Sequence, residues 1–212
     1  MDLFFFDLDR TLVKTNITKK FLIRYISRYP KFFLKLVFFN LSLFKNYFLR
    51  PKDLEICHQL VLKILQDNYY QIFDFSKNYS VELFKNELFI PAVEELLRAQ
   101  HTGKIVVLLS AAPEFIVDPI AKFLNLEHVY CTRYYRDENG KLKIHTLLTG
   151  VKKAGIAKKY LEKYKKTINQ ATAFSDSIED LELLCSVGLP VVVNPDNKLK
   201  KIAKEENWRI LF

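Results

Sequence analysis

The chain has 212 residues, half of them apolar, which suffices for one full core with a sizeable insertion or for two small lobes. Lysine and arginine number 33 against 24 aspartates and glutamates, and the formal charge of +9 points to anionic partners without naming one. The cysteines, Cys57, Cys131 and Cys185, lie far apart with no CxxC and no Cys/His spacing suited to zinc, so a zinc site is excluded and reduced, buried or inert thiols of a cytosolic protein are expected.

The first element, "LFFFDL" over 3–8, reads as a buried strand, because a nearly continuous apolar run belongs where both faces of a parallel sheet are covered. Asp2, Asp7 and Asp9 break the apolar run that a signal peptide needs, so export is not expected. Alternation along the strand places Asp7 and Asp9 on one side. Two carboxylates so close repel, and they are tolerated where a divalent metal, or a substrate held with lysine, lies beside them.

Residues 14–87 read as mostly helical. Between Lys14 and Lys52 stand ten basic residues and no acidic one. The stretch "FLIRYISRYPKFFLKLVFFNLSLFKNYFLRPK" mixes them with large apolar side chains, which suits an amphipathic surface on an anionic membrane. Lys31, Lys35, Asn40 and Lys45 interrupt it too often for a membrane span. The competing reading makes Phe32, Phe33, Leu36, Val37 and Phe39 a core or a dimer contact with solvated lysines around it, and nucleic acid is the weakest of the three options.

Beyond this stretch the period alternates. Helical patterns at 92–100, 113–125 and 153–164 separate strand-like runs at 104–110, 171–176 and 189–194, and a hairpin with a Glu-Asn-Gly-Lys turn interrupts the alternation at 130–145. The class is α/β, a doubly wound parallel sheet with an inserted helical cap. The boundaries are 1–13 with 88–212 for the core and 14–87 for the cap.

Open parallel sheets bind ligands at the carboxyl ends of their strands. Those ends carry Asp7 and Asp9, then Ser110, then Asp176 with Asp180 after it, while Gly150-Val151-Lys152-Lys153 opens a helix. Taken alone, Ser110 would be a helix N-cap and Asp180 a solvated helix residue. No cysteine has the x5-Arg loop of a thiolate phosphatase, Cys57 and His58 point apart on a helix, and no Walker-type loop appears.

Together the positions resemble the four motifs of the haloacid-dehalogenase-like phosphohydrolases: Asp7-Leu8-Asp9-Arg10-Thr11, "VVLLSAAPE" with Ser110, a helix-opening Lys153, and "FSDSIEDLELL" with Asp176 and Asp180. "SAAPE" and Gly150-x-x-Lys153 bring the chain closest to the phosphoserine-phosphatase-like branch, subfamily IB, and its spacing favours Lys153 over Lys152 as the active lysine. Arg10 and Ser175 stand where the family usually has glycine.

The resemblance implies a Mg²⁺-dependent phosphatase with a Rossmann-like core. Asp7 would be the nucleophile and form an aspartyl-phosphate, and Asp9 would be the general acid and base. Ser110, Lys153 and Thr11 would bind the phosphate, with Thr11 also steadying Asp7 and Asp9. Mg²⁺ would be held by Asp7, the main-chain carbonyl of Asp9, and Asp176, with Asp180 in support. The cap would close over the site and select the substrate. Partners would be a phosphorylated substrate and an anionic membrane surface, in the cytoplasm or peripheral to a membrane. The alternatives are a lipid-phosphate or phosphotyrosine phosphatase at that surface, and a membrane-associated binding protein that has lost turnover through Arg10.

Overall fold

In a computed structural model, which describes residues 1–30 and 54–212, the run Leu3–Phe6 forms strand β1 at the centre of a seven-stranded sheet. The sheet order is β4-β3-β2-β1-β5-β6-β7, with β2 at Ile105–Pro113, β3 at His128–Arg136, β4 at Leu142–Thr146, β5 at Ala171–Ser175, β6 at Leu189–Val193 and β7 at Arg209–Leu211. Every neighbouring pair is parallel except β3 with β4.

Alternation along β1 explains why both faces are apolar. Leu3 and Phe5 join Val107, Leu109, Ala171 and Ala173 on one face, beneath helices α5 (Gly150–Lys163), α6 (Leu181–Cys185) and α7 (Asn197–Glu205). Phe6 faces the other way, with Leu108 and Phe174, toward α3 (Ile90–His101) and α4 (Glu114–Phe123). Phe6 and Phe174 are paired in register and their rings stack with centroids 4.3 Å apart.

The hairpin at 130–145 forms, turning at Asp137–Lys141 with Gly140 at φ +71°. Its first strand does not interrupt the alternation, however. It starts at His128, pairs parallel with β2 through Ser110↔Cys131, and only then turns back as an antiparallel edge. Sequence reading left the last residues without elements, yet they form α7, capped by Asp196 through the amides of Lys198 and Leu199, and the edge strand β7.

The chain leaves the sheet at Val13 and returns at Leu88, and these two residues form an isolated antiparallel bridge. Between them the described residues make helices α1 (Ile17–Arg28) and α2 (Leu54–Asn86). Asn16 caps α1 by accepting from the Lys19 amide, and Ile17, Phe21, Leu22 and Tyr25 bury one face of it. The expectations placed on Lys31, Phe32, Phe33, Lys35, Leu36, Val37, Phe39, Asn40 and Lys45 lie outside the described residues. Among the described residues no helix is long and apolar enough to cross a membrane.

Both helices share the core of the sheet, since Phe21, Tyr25, Leu60, Leu65, Ile72 and Phe84 belong to the same buried cluster as Phe6, Leu108 and Phe115. Polar bonds fasten α2 as well. Gln66 accepts from the Leu142 amide at 2.8 Å, and buried His58 donates through Nε2 to the Ala111 carbonyl at 3.0 Å. That donation leaves Nδ1 to accept from the Tyr134 hydroxyl.

Burial, opposed by the bond to Ala111, lowers the pKa of His58 to about 4. The unfolded chain therefore takes up the proton first as the pH falls from about 6.5, and stability is lost over the interval down to about 4. The full interval corresponds to about 3 kcal/mol. Urea unfolding at pH 7, 6, 5 and 4.5 is expected to show the wild type losing stability relative to His58→Gln, whose amide can still reach Ala111, as the pH falls. Parallel profiles would show that His58 does not carry it.

Candidate active site

Strands β2, β1 and β5 are the three central neighbours, so their carboxyl ends meet at one end of the sheet, where the strand order reverses. Asp7 prolongs the β1 ladder by one residue, its amide donating to Phe174 O at 3.0 Å, and its side chain is only 5% exposed. The chain then bends at once, for Leu8 O accepts from the amides of Thr11, Leu12 and Val13. Strand alternation therefore stops before Asp9, and it is this bend that places the two acids. Asp9 Oδ1 accepts from the amide of Ile17 at 2.5 Å, which ties that carboxylate to the first turn of α1.

Arg10, at the outside of the bend, has φ +55°. The left-handed region costs an L-residue about 1–2 kcal/mol and costs glycine nothing, which accounts for the glycine usual at this motif position.

Lys153 sits in the first turn of α5, 3% exposed, and its Nζ donates to Asp7 Oδ1 and to Asp180 Oδ2, each at 2.7 Å. Lys152 is exposed, so of the two it is Lys153 that reaches Asp7. The lysine reaches this depth because Gly150 lets the helix start press against the turn at 178–180. A Cβ on Gly150 would lie 1.8 Å from the Glu179 carbonyl oxygen. Asp180 is held from the other side by Ser175, whose hydroxyl donates to Oδ2 at 2.7 Å.

Ser110 is wholly buried, and its Oγ accepts from the Ala112 amide at 3.1 Å, which leaves the hydroxyl hydrogen free to donate. It is no helix N-cap, because α4 begins at Glu114 after Pro113. The Ala111 carbonyl between these residues accepts from Thr132 Oγ1 at 2.7 Å and from His58. Asp176, at the end of β5, is 8% exposed and accepts no hydrogen bond from the described residues.

Asp7 and Asp180 thus share one buried ammonium, with the charges of Asp9 and Asp176 close enough to be felt. Burial raises Asp7 to about 6, against the pull of Lys153; burial and then Asp7 raise Asp9 to about 7; the same two causes raise Asp176 to about 8. Lys153 would be lowered by burial, but Asp7 and Asp180 hold it above its ordinary range, so it stays charged. Among the described residues no three His, Cys, Asp or Glu side chains make a metal cage. A hard cation nonetheless fits the site, which offers oxygen donors only and more negative charge than Lys153 offsets.

The structure thus brings Asp7, Asp9, Ser110, Lys153, Asp176 and Asp180 to one end of the sheet. Thr11 differs. It is wholly buried, and among the described residues its hydroxyl has no hydrogen-bond partner, so it bonds to neither Asp7 nor Asp9. None of the cysteines forms a disulfide; Cys131 is buried, and Cys185 is exposed with its thiol pushed up by partial burial. Sequence reading missed what Ser175 and His58 do. The only signals were a serine in a glycine's place and a histidine on an otherwise amphipathic helix.

A family model for haloacid dehalogenase-like hydrolases matches residues 4–184. A probable phosphatase of Mycobacterium tuberculosis is 34% identical over 126 residues, which is 58% of this chain and 44% of that one. A histidinol-phosphatase of Neisseria meningitidis is 29% identical over 143 residues, 60% of this chain and 63% of that one. The chain thus spans less than two thirds of the length of either relative. Among solved structures, a Bordetella pertussis protein of unknown function superposes with a TM-score of 0.80 at 21% identity, covering 99% of this chain and 97% of that one. A phosphoserine phosphatase in apo form gives 0.59 at 16% identity, covering 100% of this chain and 92% of that one. These two likenesses concern the fold.

Proposed function

The chain belongs to the haloacid dehalogenase-like hydrolases, and from that membership we propose that it is a Mg²⁺-dependent phosphomonoester phosphatase working through an aspartyl-phosphate on Asp7. One observation carries the reading: Lys153, 146 residues away along the chain, is buried against the Asp7 carboxylate together with Asp180. A buried lysine on a carboxylate at a strand end is what a dianionic phosphoryl group needs in order to approach a negatively charged nucleophile. The relatives named as phosphatases support the same class.

Asp7 Oδ1 is tethered to Lys153, which leaves Oδ2 to attack phosphorus. As the Asp7–phosphorus bond forms, the ester oxygen–phosphorus bond breaks, and the proton on Asp9 passes to the departing alkoxide. Asp9 is suited to hold that proton near pH 7, since one of its oxygens is bonded to the Ile17 amide and the other is left for the proton. In the second step Asp9 takes a proton from water, whose oxygen attacks phosphorus and releases Asp7 and inorganic phosphate. Ser110 and Lys153 hold the phosphoryl oxygens, and Asp180 and Ser175 keep Lys153 aimed. Asp7, Asp176 and the main-chain carbonyl of Asp9 would hold Mg²⁺, which supplies positive charge against the phosphoryl oxygens.

The test is release of phosphate from an aryl phosphate by protein stripped with EDTA and then reloaded. Activity should require Mg²⁺, and silence with folded, reloaded protein across aryl, alkyl and lipid phosphates and phosphotyrosine peptides would refute the reading. The lipid and phosphotyrosine arms cover the substrates that the basic aromatic stretch around 31–50 suggests.

Thermal unfolding supplies an independent reading of the metal. A carboxylate whose pKa is raised on folding stabilises below its unfolded value and loses that contribution as the pH climbs through the folded one. For Asp7, Asp9 and Asp176 this window runs from about 4 up to about 8. The melting temperature gained by adding Mg²⁺ should therefore be small at pH 5.5 and grow toward pH 8. A gain independent of pH would mean that these acids do not bind the ion.

A further inference from the structure

Among the described residues five that are not glycine have positive φ: Arg10, Asn125, Lys165, Asn194 and Asn207. Asparagine tolerates that region, and Lys165 adopts it to end α5, where its amide donates to Glu162 O and the next amide to Leu161 O. Arg10 has no such reason. It ends no helix, and the bend around it is held by main-chain bonds that a glycine or an asparagine would make equally well. What arginine adds at this position is its guanidinium.

Arg10 directly follows Asp9, in the bend that leads away from the carboxylate cluster. Arg10 is exposed, its side chain forms no hydrogen bond or ion pair with the described residues, and its charge is nonetheless felt by both Asp9 and Asp176. The phosphoryl group already has its partners deeper in, at Lys153, Ser110 and Asp7. A backbone conformation that is unfavourable for its residue, held at a site by the structure around it, is a reason to look for a function. A guanidinium offers a rigid fork of donors to planar or tetrahedral oxyanions.

We infer that Arg10 is an anion subsite for a second oxyanion, a carboxylate or a further phosphate, carried by the alcohol part of the phosphomonoester. The inference rests on the phosphatase reading and narrows it to one substrate class. The alternative role, a charge that merely offsets the carboxylates, would act alike on every substrate.

The experiment compares kcat/KM of the Mg²⁺-loaded full chain for phenyl phosphate, 3- and 4-carboxyphenyl phosphate and 1,4-phenylene bisphosphate. The carboxylate and bisphosphate arms identify which oxyanion is taken. The wild type should prefer at least one doubly anionic ester by about tenfold or more, the worth of a charge-assisted bond. Arg10→Gly should lower that ratio toward one, chiefly through KM, and Arg10→Lys, which keeps the charge without the fork, should fall between. Glycine suits the bend, so loss of folding does not cloud the comparison. No preference in the wild type, or an equal loss on all esters in Arg10→Gly, would overturn the inference while the phosphatase reading stands. No hydrolysis of any ester by the wild type would remove both.

Discussion

Asp7→Asn should lower phosphate release by about 10⁴-fold or more, the scale on which loss of a nucleophile acts, while leaving the protein as stable as before or more so. Two effects compete for the stability. Removing one partner of a buried ion pair typically costs about 3–5 kcal/mol, because a charge is left alone. Here Lys153 keeps Asp180 at 2.7 Å, and asparagine retains a carbonyl oxygen for it, so no charge is abandoned. Against that small loss stands the relief of repulsion, since Asp7 is among the causes that raise both Asp9 and Asp176. In EDTA at pH 7.5 the melting temperature of Asp7→Asn should therefore match or exceed that of the wild type. Lys153→Met gives the contrast: it leaves Asp7 and Asp180 uncompensated, and should lose both activity and about 3–5 kcal/mol in stability. Full phosphate release by Asp7→Asn would end the nucleophile assignment, and a stable Lys153→Met would show that the lysine does not hold the cluster together.

The parts of this site that could be read in the sequence share one physical feature. Parallel strands covered on both faces announce themselves as short apolar runs, and polar residues at their carboxyl ends stand out against those runs. That is why Asp7, Ser110 and Asp176 are legible, and why Lys153 is legible once a glycine three residues before it marks the start of a helix. The contacts that decide how these residues are held depend on distant partners. Nothing local says that Ser175 will face Asp180, or that His58 will bond the carbonyl beside Ser110. Strand alternation predicts the pairing of Asp7 with Asp9, whereas a bend closed on Leu8 O ends the strand between them. The end of the chain was missed for a different reason. Strand β7 has three residues, and α7 buries only Leu199 and Ala203, too little pattern to read.

Gly150 carries the largest prediction that involves no chemical group at all. A methyl group there would lie 1.8 Å from Glu179 O, 2.9 Å from the carbon of the same carbonyl and 3.3 Å from Asp180 Cα. These are main-chain atoms, so no side chain can swing aside, and either the start of α5 or the turn at 178–180 must move by more than 1 Å to reach ordinary contact. The first carries Lys153 and the second carries Asp180. Either motion stretches the bond between them, and a displacement of about 1 Å in a positioning group costs about 10²-fold in rate. Gly150→Ala should accordingly lose about 10²-fold or more in kcat and melt at a lower temperature. Gly155→Ala in the same helix supplies the control, since a Cβ there meets nothing within 4 Å and should stabilise the helix by about 0.5–1 kcal/mol. If the two alanine variants prove equally active, the depth of Lys153 does not depend on the close approach of α5 to this turn. If only Gly150→Ala fails, the absence of one side chain is what lets the helix bring Lys153 to Asp7.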